Sequence, residues 1–216
     1  MRKENEKRNE IKSYLKTMFP NASCELKYNS PFELLVTVIL SAQCTDKRVN
    51  MVTSEIFKKY NEPKDFAKIE IELLEQLIKP CGFYKNKAKA IKQTSVDIIQ
   101  KFDGQVPMDR EKLMTLRGVG RKTANVVLSE LTDFPAIAVD THVFRVSNRL
   151  GISSSTNVSK CEKDLMEYFN ESDWSKMHYL LVLFGRYHCK AIKPKCDICN
   201  LKNVCKYYKR NKKEII

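Results

Sequence analysis

The sequence predicts an all-α chain. Apolar residues recur at helical spacing along most of the 216 residues, no segment alternates apolar and polar residues as a half-buried strand does, and short polar or Pro/Gly-containing connections separate the periodic segments. In the first segment Ile11, Tyr14, Leu15 and Met18 fall on one face, so a helix is expected to end near Pro20. Further helices are expected at 32–43, 46–60, 71–78, 87–102, 111–116, 123–131, 141–150, 158–169 and 174–187. The basic tail after Cys205 is expected to be frayed or to lie at the surface.

The charge composition indicates which kinds of partner the chain is suited to bind. With 39 Lys and Arg against 26 Asp and Glu, the formal net charge is +13, which favours approach to a polyanion such as a nucleic acid. A lysine-rich composition that serves only solubility is the alternative. The N-terminal MRKENEKRNE has no apolar stretch, and the apolar run 34–40 is too short to span a bilayer. We therefore expect no membrane partner and a cytoplasmic location.

The cysteines fall into two groups. Eight are present, and in a cytoplasmic chain they are better explained as metal ligands and buried thiols than as disulfides. Four lie in a C-x6-C-x2-C-x5-C frame that can bind one metal centre: Cys189, Cys196, Cys199 and Cys205. Structural zinc and an iron–sulfur cluster are both open, although zinc sites usually have two CxxC pairs and only Cys196 and Cys199 are so paired. The others have no ligand spacing and are interpreted as ordinary thiols: Cys24, Cys44, Cys81 and Cys161.

A glycine hairpin is predicted in the segment LRGVGRKTANVV. A short helix is expected to run into Gly118, Val119 and Gly120, and the next helix to begin at about Arg121. Glycine permits positive φ and leaves no side chain between backbone and ligand, while Val119 can fill the gap between the helices. The N–H groups of the turn and the positive helix end suit a phosphate oxygen. A helix that simply ends in a glycine cap is the alternative.

Two residues are candidate catalytic groups, one just after this hairpin and one further along the chain. Lys122 lies in the first turn of the helix, where the positive helix end and neighbouring Arg121 favour the neutral amine that a nucleophile needs. Asp140, in AIAVDTHVFRV, precedes a helix and suits an N-cap, and an ionised carboxylate there could also stabilise positive charge on a sugar or move a proton. A solvated lysine and a purely structural cap are the alternatives.

The motifs together carry a resemblance. With Ser41-Ala42-Gln43, LRGVGRKTANVV, AVDTH and the cysteine frame in this order, nearly the whole chain resembles the endonuclease III family of helix-hairpin-helix DNA glycosylases. The resemblance implies a monomeric, nucleoid-associated enzyme that releases oxidised pyrimidines from duplex DNA and cleaves abasic sites. It implies that Lys122 attacks C1′ of the flipped nucleotide and forms a Schiff base before β-elimination, with Asp140 as the essential carboxylate. It also implies a [4Fe–4S] cluster on the four spaced cysteines.

The resemblance further implies how DNA is held. Gln43 would fill the gap left by the flipped nucleotide, and Phe83 would wedge the duplex where relatives often carry leucine, although a helix-end role for Gln43 and core packing of Phe83 are alternatives. The loop between the first two ligands would present Lys190, Lys193 and Lys195 to the DNA backbone. Arg117 departs from relatives that have proline there, without an expected loss of chemistry.

The sequence also leads to expectations about the domains and about two alternative functions. The resemblance implies a six-helix domain at 24–134 and a discontinuous cluster domain at 1–23 plus 135–216, with DNA bound between them. An adenine-mismatch glycosylase would need a glutamate where Thr37 stands and an additional C-terminal domain. A non-enzymatic iron–sulfur protein that binds DNA or senses redox state would need neither Lys122 nor Asp140.

Overall fold

A computed structural model describes residues 2–213 of the chain, with side chains up to residue 211. Within these residues the structure has twelve α-helices, three short 3₁₀ helices and no β-strand, which confirms the predicted all-α class. The α-helices are α1 (Arg2–Met18), α2 (Pro31–Ser41), α3 (Asp46–Ile56), α4 (Pro63–Lys68), α5 (Ile71–Ile78), α6 (Tyr84–Lys101), α7 (Arg110–Met114), α8 (Arg121–Leu131), α9 (Thr141–Leu150), α10 (Val158–Tyr168), α11 (Trp174–Tyr187) and α12 (Lys206–Lys213). The 3₁₀ helices are Lys79–Cys81, Glu171–Asp173 and Cys196–Ile198.

The chain divides into two compact units. The central unit is Cys24–Asp133 and contains α2 to α8, while the terminal unit joins Met1–Ser23 to Phe134–Ile216 and contains α1 and α9 to α12. No helix in the described part of the chain is long and apolar enough to cross a membrane.

Helix α2 lies at the centre of the central unit. Ser30 caps it by accepting a hydrogen bond from the Glu33 N–H, and Pro31 occupies the first turn, where its missing N–H costs nothing. Its residues 32–40 are all buried, and all of them except Glu33 and Thr37 are apolar, as expected of a helix surrounded by other helices. Helices α3, α6 and α8 pack against it, so α2 is the support on which the glycine hairpin rests.

The terminal unit is built around α9 and α11. Buried apolar residues from both helices form its core with Ile11 and Leu15 of α1. The two helices approach closely at Gly185, where an added Cβ would lie 2.9 Å from the His142 Cβ. Since real Cβ atoms do not come that near, a glycine is required for the start of α9 to sit against α11.

Two helices were not expected. Helix α4 is short, and its start is fixed by a capping box in which the Glu62 and Asp65 side chains each accept from the other's backbone N–H, with Pro63 in the first turn. The tail was expected to be frayed or to lie at the surface. Residues 206–213 are not frayed, since they form α12 against α9, and the side chains described at 206–211 are exposed or half-buried. Its Tyr207 ring packs against the Arg149 guanidinium at 4.4 Å, a contact that composition does not reveal. Residues 214–216 of the tail lie outside the described part.

Candidate active site

The predicted hairpin is present between α7 and α8. Asp109 caps α7 through the Lys112 N–H, and the chain turns when the Val119 N–H donates to the Leu116 carbonyl at 3.1 Å. Val119 is buried between the helices, while Gly118 and Gly120 are exposed. The outer face of the turn is therefore backbone, as a phosphate-binding loop requires.

Gly118 fixes the shape of this turn. Its φ of +80° belongs to the left-handed region, and an added Cβ would lie 2.9 Å from the Ala90 Cβ of α6. The Thr94 hydroxyl, also on α6, donates to the Arg117 carbonyl at 2.8 Å and holds the turn from the same side. Two contacts with one helix thus make the hairpin rigid before any ligand binds.

The start of α8 is prepared for an anion. Gly120 is the N-cap and has no side chain, so the helix's first N–H groups get no cap from that residue. The positive end of the helix dipole lies at the same place. Lys122 is exposed in this first turn, next to exposed Arg121. The structure thus places the predicted nucleophile beside the predicted phosphate-binding backbone.

Asp140 is the N-cap of α9, which confirms its predicted capping role. One carboxylate oxygen, Oδ1, accepts from the N–H groups of His142 and Val143 at 2.8 Å each. The other, Oδ2, lies 3.0 Å from Nδ1 of His142, and an ionised carboxylate fixes the proton on that nitrogen. The Asp140 side chain keeps 17% of its surface exposed, so it is held rigidly and remains reachable.

Gln43 and Phe83 have the same unusual backbone conformation. Gln43 follows α2 with φ +52°, and Phe83 begins α6 with φ +46°, both in the left-handed region that costs side-chain-bearing residues about 1–3 kcal/mol. Both side chains are exposed, Phe83 to 65%, so core packing does not explain the aromatic ring. A large exposed apolar side chain on a strained turn is typical of a contact site.

The four spaced cysteines surround one cavity in the terminal unit. Its lining includes Cys189, Cys196, Cys199 and Cys205 together with His188 and Tyr207. Burial raises the pKa of the Cys196 thiol, and the negative charges of the other three cysteines raise it further, whereas Arg149 opposes the shift. None of the four is in a disulfide. Because the charge of each of the other three cysteines acts on Cys196, the four thiols form one electrostatically coupled group.

Four thiols are a donor set that both structural zinc and an iron–sulfur cluster use. Among the described residues, no group of three or more His, Cys, Asp or Glu side chains is arranged to hold one metal ion. A cubane cluster takes one thiolate on each of four irons, so its ligands surround a larger volume. Four thiols around a shared cavity match that requirement, and the positive charge of bound iron would remove the repulsion that resists their ionisation.

Two arginines of α9 hold the loop that follows Cys189. The Arg149 guanidinium donates to the carbonyls of Lys190 at 2.6 Å and Ala191 at 3.0 Å, and Arg145 donates to the Cys189 and Gly185 carbonyls at 3.2 and 2.7 Å. Because these bonds use the carbonyls, the lysine side chains point elsewhere. Lys190, Lys193 and Lys195 are all exposed, which leaves three cations available to an anionic partner.

Sequence reasoning missed three of these functional features. His142 was part of a quoted motif but received no role, although an Asp two residues before a His at a helix start signals this pair. Arg145 and Arg149 carried a weaker signal, their i, i+4 spacing on one helix face. Thr37 behaves as a structural residue, since it is fully buried and its hydroxyl donates to the Leu34 carbonyl at 2.8 Å.

Comparison with known proteins gives consistent matches. The family described as HhH-GPD superfamily base excision DNA repair protein matches residues 36–171. Endonuclease III of Bacillus subtilis (strain 168) is 52% identical over 201 residues, covering 92% of each chain. A solved non-covalent endonuclease III–DNA complex is similar with a TM-score of 0.93 and 47% identity, covering 97% of this chain and 98% of the other.

The chain belongs to the endonuclease III family. A second solved structure, a trapped endonuclease III–DNA covalent intermediate, is similar with a TM-score of 0.90 and 48% identity over 95% of this chain and 98% of its own. The protein is accordingly an enzyme of base excision repair, a DNA glycosylase with abasic-site lyase activity.

Proposed function

We propose that the enzyme removes oxidised pyrimidines from duplex DNA with Lys122 as its nucleophile. The observation that carries this proposal is an exposed lysine in the first turn of α8, one residue past an uncapped helix start that a DNA phosphate can occupy. Backbone contacts of this kind fix the register of the duplex without reading its sequence. A damaged nucleotide held there and flipped from the stack would present its C1′ to the amine.

The chemistry assigned to Lys122 has two stages. The neutral amine attacks C1′, and the bond from C1′ to the damaged base breaks with its electron pair leaving on the base. The covalent link then becomes a Schiff base as the sugar ring opens, and loss of the 2′ proton expels the 3′ phosphate. A covalent lysine intermediate thereby joins base removal and strand cleavage in one active site.

Asp140 is assigned the supporting carboxylate. Three donors hold its oxygens, from the N–H groups of His142 and Val143 and from the His142 ring. A carboxylate held in this way can stabilise positive charge that develops on the sugar. His142 is thereby a positioning residue, since it acts on the carboxylate and not on DNA.

DNA is held by groups outside the hairpin as well. We assign Gln43 to the gap left by the flipped nucleotide, Phe83 to a wedge between base pairs, and the exposed lysines of the 190–195 loop to phosphates. The exposure and backbone conformation of Gln43 and Phe83 support these roles. A monomer working on nucleoid DNA in the cytoplasm accounts for all of them.

The four cysteines are assigned to a [4Fe–4S] cluster. They share one cavity and one electrostatic environment, and the endonuclease III family to which the chain belongs is expected to carry such a cluster. When bound, the cluster would link α12 and the 196–199 turn to the end of α11 through iron–sulfur bonds. Base removal needs no electron transfer, so its contribution is to hold the basic loop in place.

Single-turnover kinetics on a duplex with thymine glycol tests the proposal. Lys122→Gln should abolish base release and strand cleavage but still bind DNA, whereas Lys112→Gln removes an exposed lysine of the same hairpin and should cleave normally. Asp140→Asn should slow base release by about 10²–10⁴-fold. Because asparagine caps helices as well as aspartate does, its thermal stability should stay near that of the wild type. Cleavage by Lys122→Gln at the wild-type rate would refute the assignment.

A further inference from the structure

Two cysteines that are distant in sequence meet in the central unit. Cys44 follows α2 and Cys81 ends the 3₁₀ helix Lys79–Cys81, and the two thiols lie close enough that Cys44 acts on the ionisation of Cys81. Both are free thiols, Cys44 half-buried and Cys81 only 1% exposed. The sequence indicates ordinary thiols at both positions, and their closeness is an additional property that their spacing in the sequence does not report. They form a dithiol in which one sulfur is reachable from solvent and the other is not.

The surroundings of this pair are cationic. Lys87 is buried and donates from Nζ to the Leu40 and Cys81 carbonyls at 2.8 Å each, and its charge acts on both thiols. Arg48 also acts on Cys81. Burial and then the Cys44 charge raise the pKa of Cys81 to about 11, so the buried thiol keeps its proton at neutral pH and can donate it to the Cys44 sulfur. Cys44, the half-buried member, is the one placed to meet a dissolved oxidant first.

The dithiol lies between the two turns assigned to DNA. Gln43 immediately precedes Cys44, and Phe83 follows Cys81 by two residues. Lys87 reaches both chain segments, since its two acceptors belong to the end of α2 and to the segment before Phe83. A bond between the two sulfurs would thus join the turns that carry the gap-filling and wedging side chains.

We propose that Cys44 and Cys81 are a redox-sensitive pair that low-molecular-weight disulfides convert to an intramolecular disulfide, and that this bond lowers activity on damaged DNA. The second clause rests on the proposed function, because it needs Gln43 and Phe83 to contact DNA. The disulfide itself is argued from the closeness of the two thiols and from Lys87, which holds both of their chain segments.

The reaction is a pair of thiol–disulfide exchanges. The Cys44 thiolate attacks one sulfur of the oxidant, the oxidant's S–S bond breaks, and one small thiolate leaves. Cys81 then gives up its proton and attacks the Cys44 sulfur of the mixed disulfide, which expels the second small thiolate. Two protein thiols are oxidised, one small disulfide is reduced to two thiols, and both protons leave with those thiols. The exposed sulfur reacts first and the buried one resolves, as their exposure requires.

The disulfide would lower activity by restricting the positions of the Gln43 and Phe83 side chains. Gln43 and Phe83 occupy strained left-handed conformations, so their positions depend on how the chain segments around them are held. A covalent link between the segments restricts those positions. Because small misplacement of positioning groups can cost up to about 100-fold in rate, we expect a fall of about tenfold.

The test treats the cluster-loaded enzyme with oxidised glutathione and measures three things: Cys44 and Cys81 peptides by mass spectrometry after alkylation, visible absorption of the cluster, and single-turnover cleavage of abasic-site DNA. We expect a linked Cys44–Cys81 peptide without retained glutathione, unchanged cluster absorption, and a cleavage rate about tenfold lower that dithiothreitol restores. Cleavage of the reduced enzyme provides the reference.

Matched cysteine variants separate the pair from other thiols. Cys44→Ser should cleave like the reduced wild type and lose all sensitivity to the oxidant. Cys24→Ser should remain as sensitive as the wild type, because the charged neighbours of Cys24 in the same unit are carboxylates and burial raises the pKa of its thiol to about 12. The substitution at Cys44 is preferred to one at Cys81, whose buried position makes it a risk to folding.

Several outcomes would overturn the proposal. The absence of a linked peptide, or a stable glutathione adduct on Cys44 alone, would refute the claim that the two cysteines form a disulfide. A linked peptide with an unchanged cleavage rate would refute the claim that this disulfide lowers activity. Failure of the reduced enzyme to cleave abasic-site DNA would instead refute the proposed function and the regulatory clause with it, while the peptide map would still decide whether the disulfide forms.

Discussion

The hairpin before α8 and the loop after Cys189 both present exposed positive side chains, which we assign to DNA, but they are held in different ways. The hairpin is fixed by backbone conformation and packing, through the left-handed Gly118 against Ala90 and the buried Val119. The 190–195 loop is fixed by side chains, through hydrogen bonds from Arg145 and Arg149 and through its flanking cysteines. The first is therefore held by the backbone and its packing, whereas the second depends on side-chain hydrogen bonds and, in the proposed function, on the cluster assigned to those cysteines.

This difference matches the task of each region. A nucleophile needs a fixed position to within a fraction of an ångström, and packed backbone provides that without any cofactor. Contacts between lysines and phosphates tolerate movement because they are electrostatic and long-ranged. The chain places the rigid support beside Lys122 and the adjustable one under the basic loop.

The largest expected effect is in the hairpin. Gly118→Ala places a methyl group where φ is +80° and where Ala90 leaves only 2.9 Å. We expect the free energy of unfolding to fall by about 2–4 kcal/mol, from backbone strain and overpacking together. Denaturant unfolding of the enzyme measures this change.

Gly120→Ala is the matched control for that variant. No heavy atom lies within 4 Å of a Cβ added at Gly120, and the residue's φ of −90° suits alanine. Its stability should fall by about 1 kcal/mol at most. DNA affinity should fall nonetheless, because the methyl group occupies the space of the phosphate. Equal losses of stability in both variants would contradict the idea that packing against α6 holds the hairpin.

A smaller effect is expected in the loop. Arg149→Lys keeps the charge but cannot donate to both the Lys190 and Ala191 carbonyls, nor stack on Tyr207 in the same way. We expect a loss of about 1.5–3 kcal/mol of local stability, measured as faster tryptic cleavage at the lysines of the 190–195 loop. Arg2→Lys is the control, since Arg2 forms only an exposed ion pair with Glu6. Unchanged cleavage in Arg149→Lys would show that the arginines do not hold the loop.

The smallest expected effect is a pH-dependent change in melting temperature at the segment after α9, which is also held by side-chain hydrogen bonds. Ser153, after α9, donates to Asp164 at 2.6 Å, and this bond, followed by the Lys160 contact, lowers the pKa of Asp164. A lowered pKa in the folded state stabilises the protein above the unfolded value of about 4, and that stability is lost as pH falls through the folded value. Ser153→Ala should therefore lower the melting temperature most near pH 7 and progressively less below pH 4. A difference that does not vary with pH would exclude the carboxylate as its cause.

The sequence predicted the hairpin well because its determinants are local. Two glycines, a valine between them and flanking apolar periodicity define one turn, and each of these is visible within twelve letters. Asp140 as a cap is equally local. By contrast, Cys44 meets Cys81 only because Lys87 and the packing of α2, α3 and α6 bring their segments together, and no spacing rule reports such a meeting.

Short and polar elements were also hard to foresee. Helix α4 has only six residues and depends on a capping box, and α12 depends on Tyr207 packing against Arg149 of another helix. Neither has the apolar periodicity on which helix prediction relies. The two loop-holding arginines show the same limit, since their acceptors are backbone carbonyls about 40 residues away in the chain, which a sequence pattern does not encode.

Borohydride trapping followed by peptide mapping tests the central assignment most directly. The enzyme would be incubated with abasic-site duplex DNA, reduced, digested, and the sugar-modified residue located by mass spectrometry. The account predicts a single adduct on Lys122, absent from Lys122→Gln and retained in Lys112→Gln. An adduct on the N-terminal amine or on another lysine, or one that persists in Lys122→Gln, would contradict it.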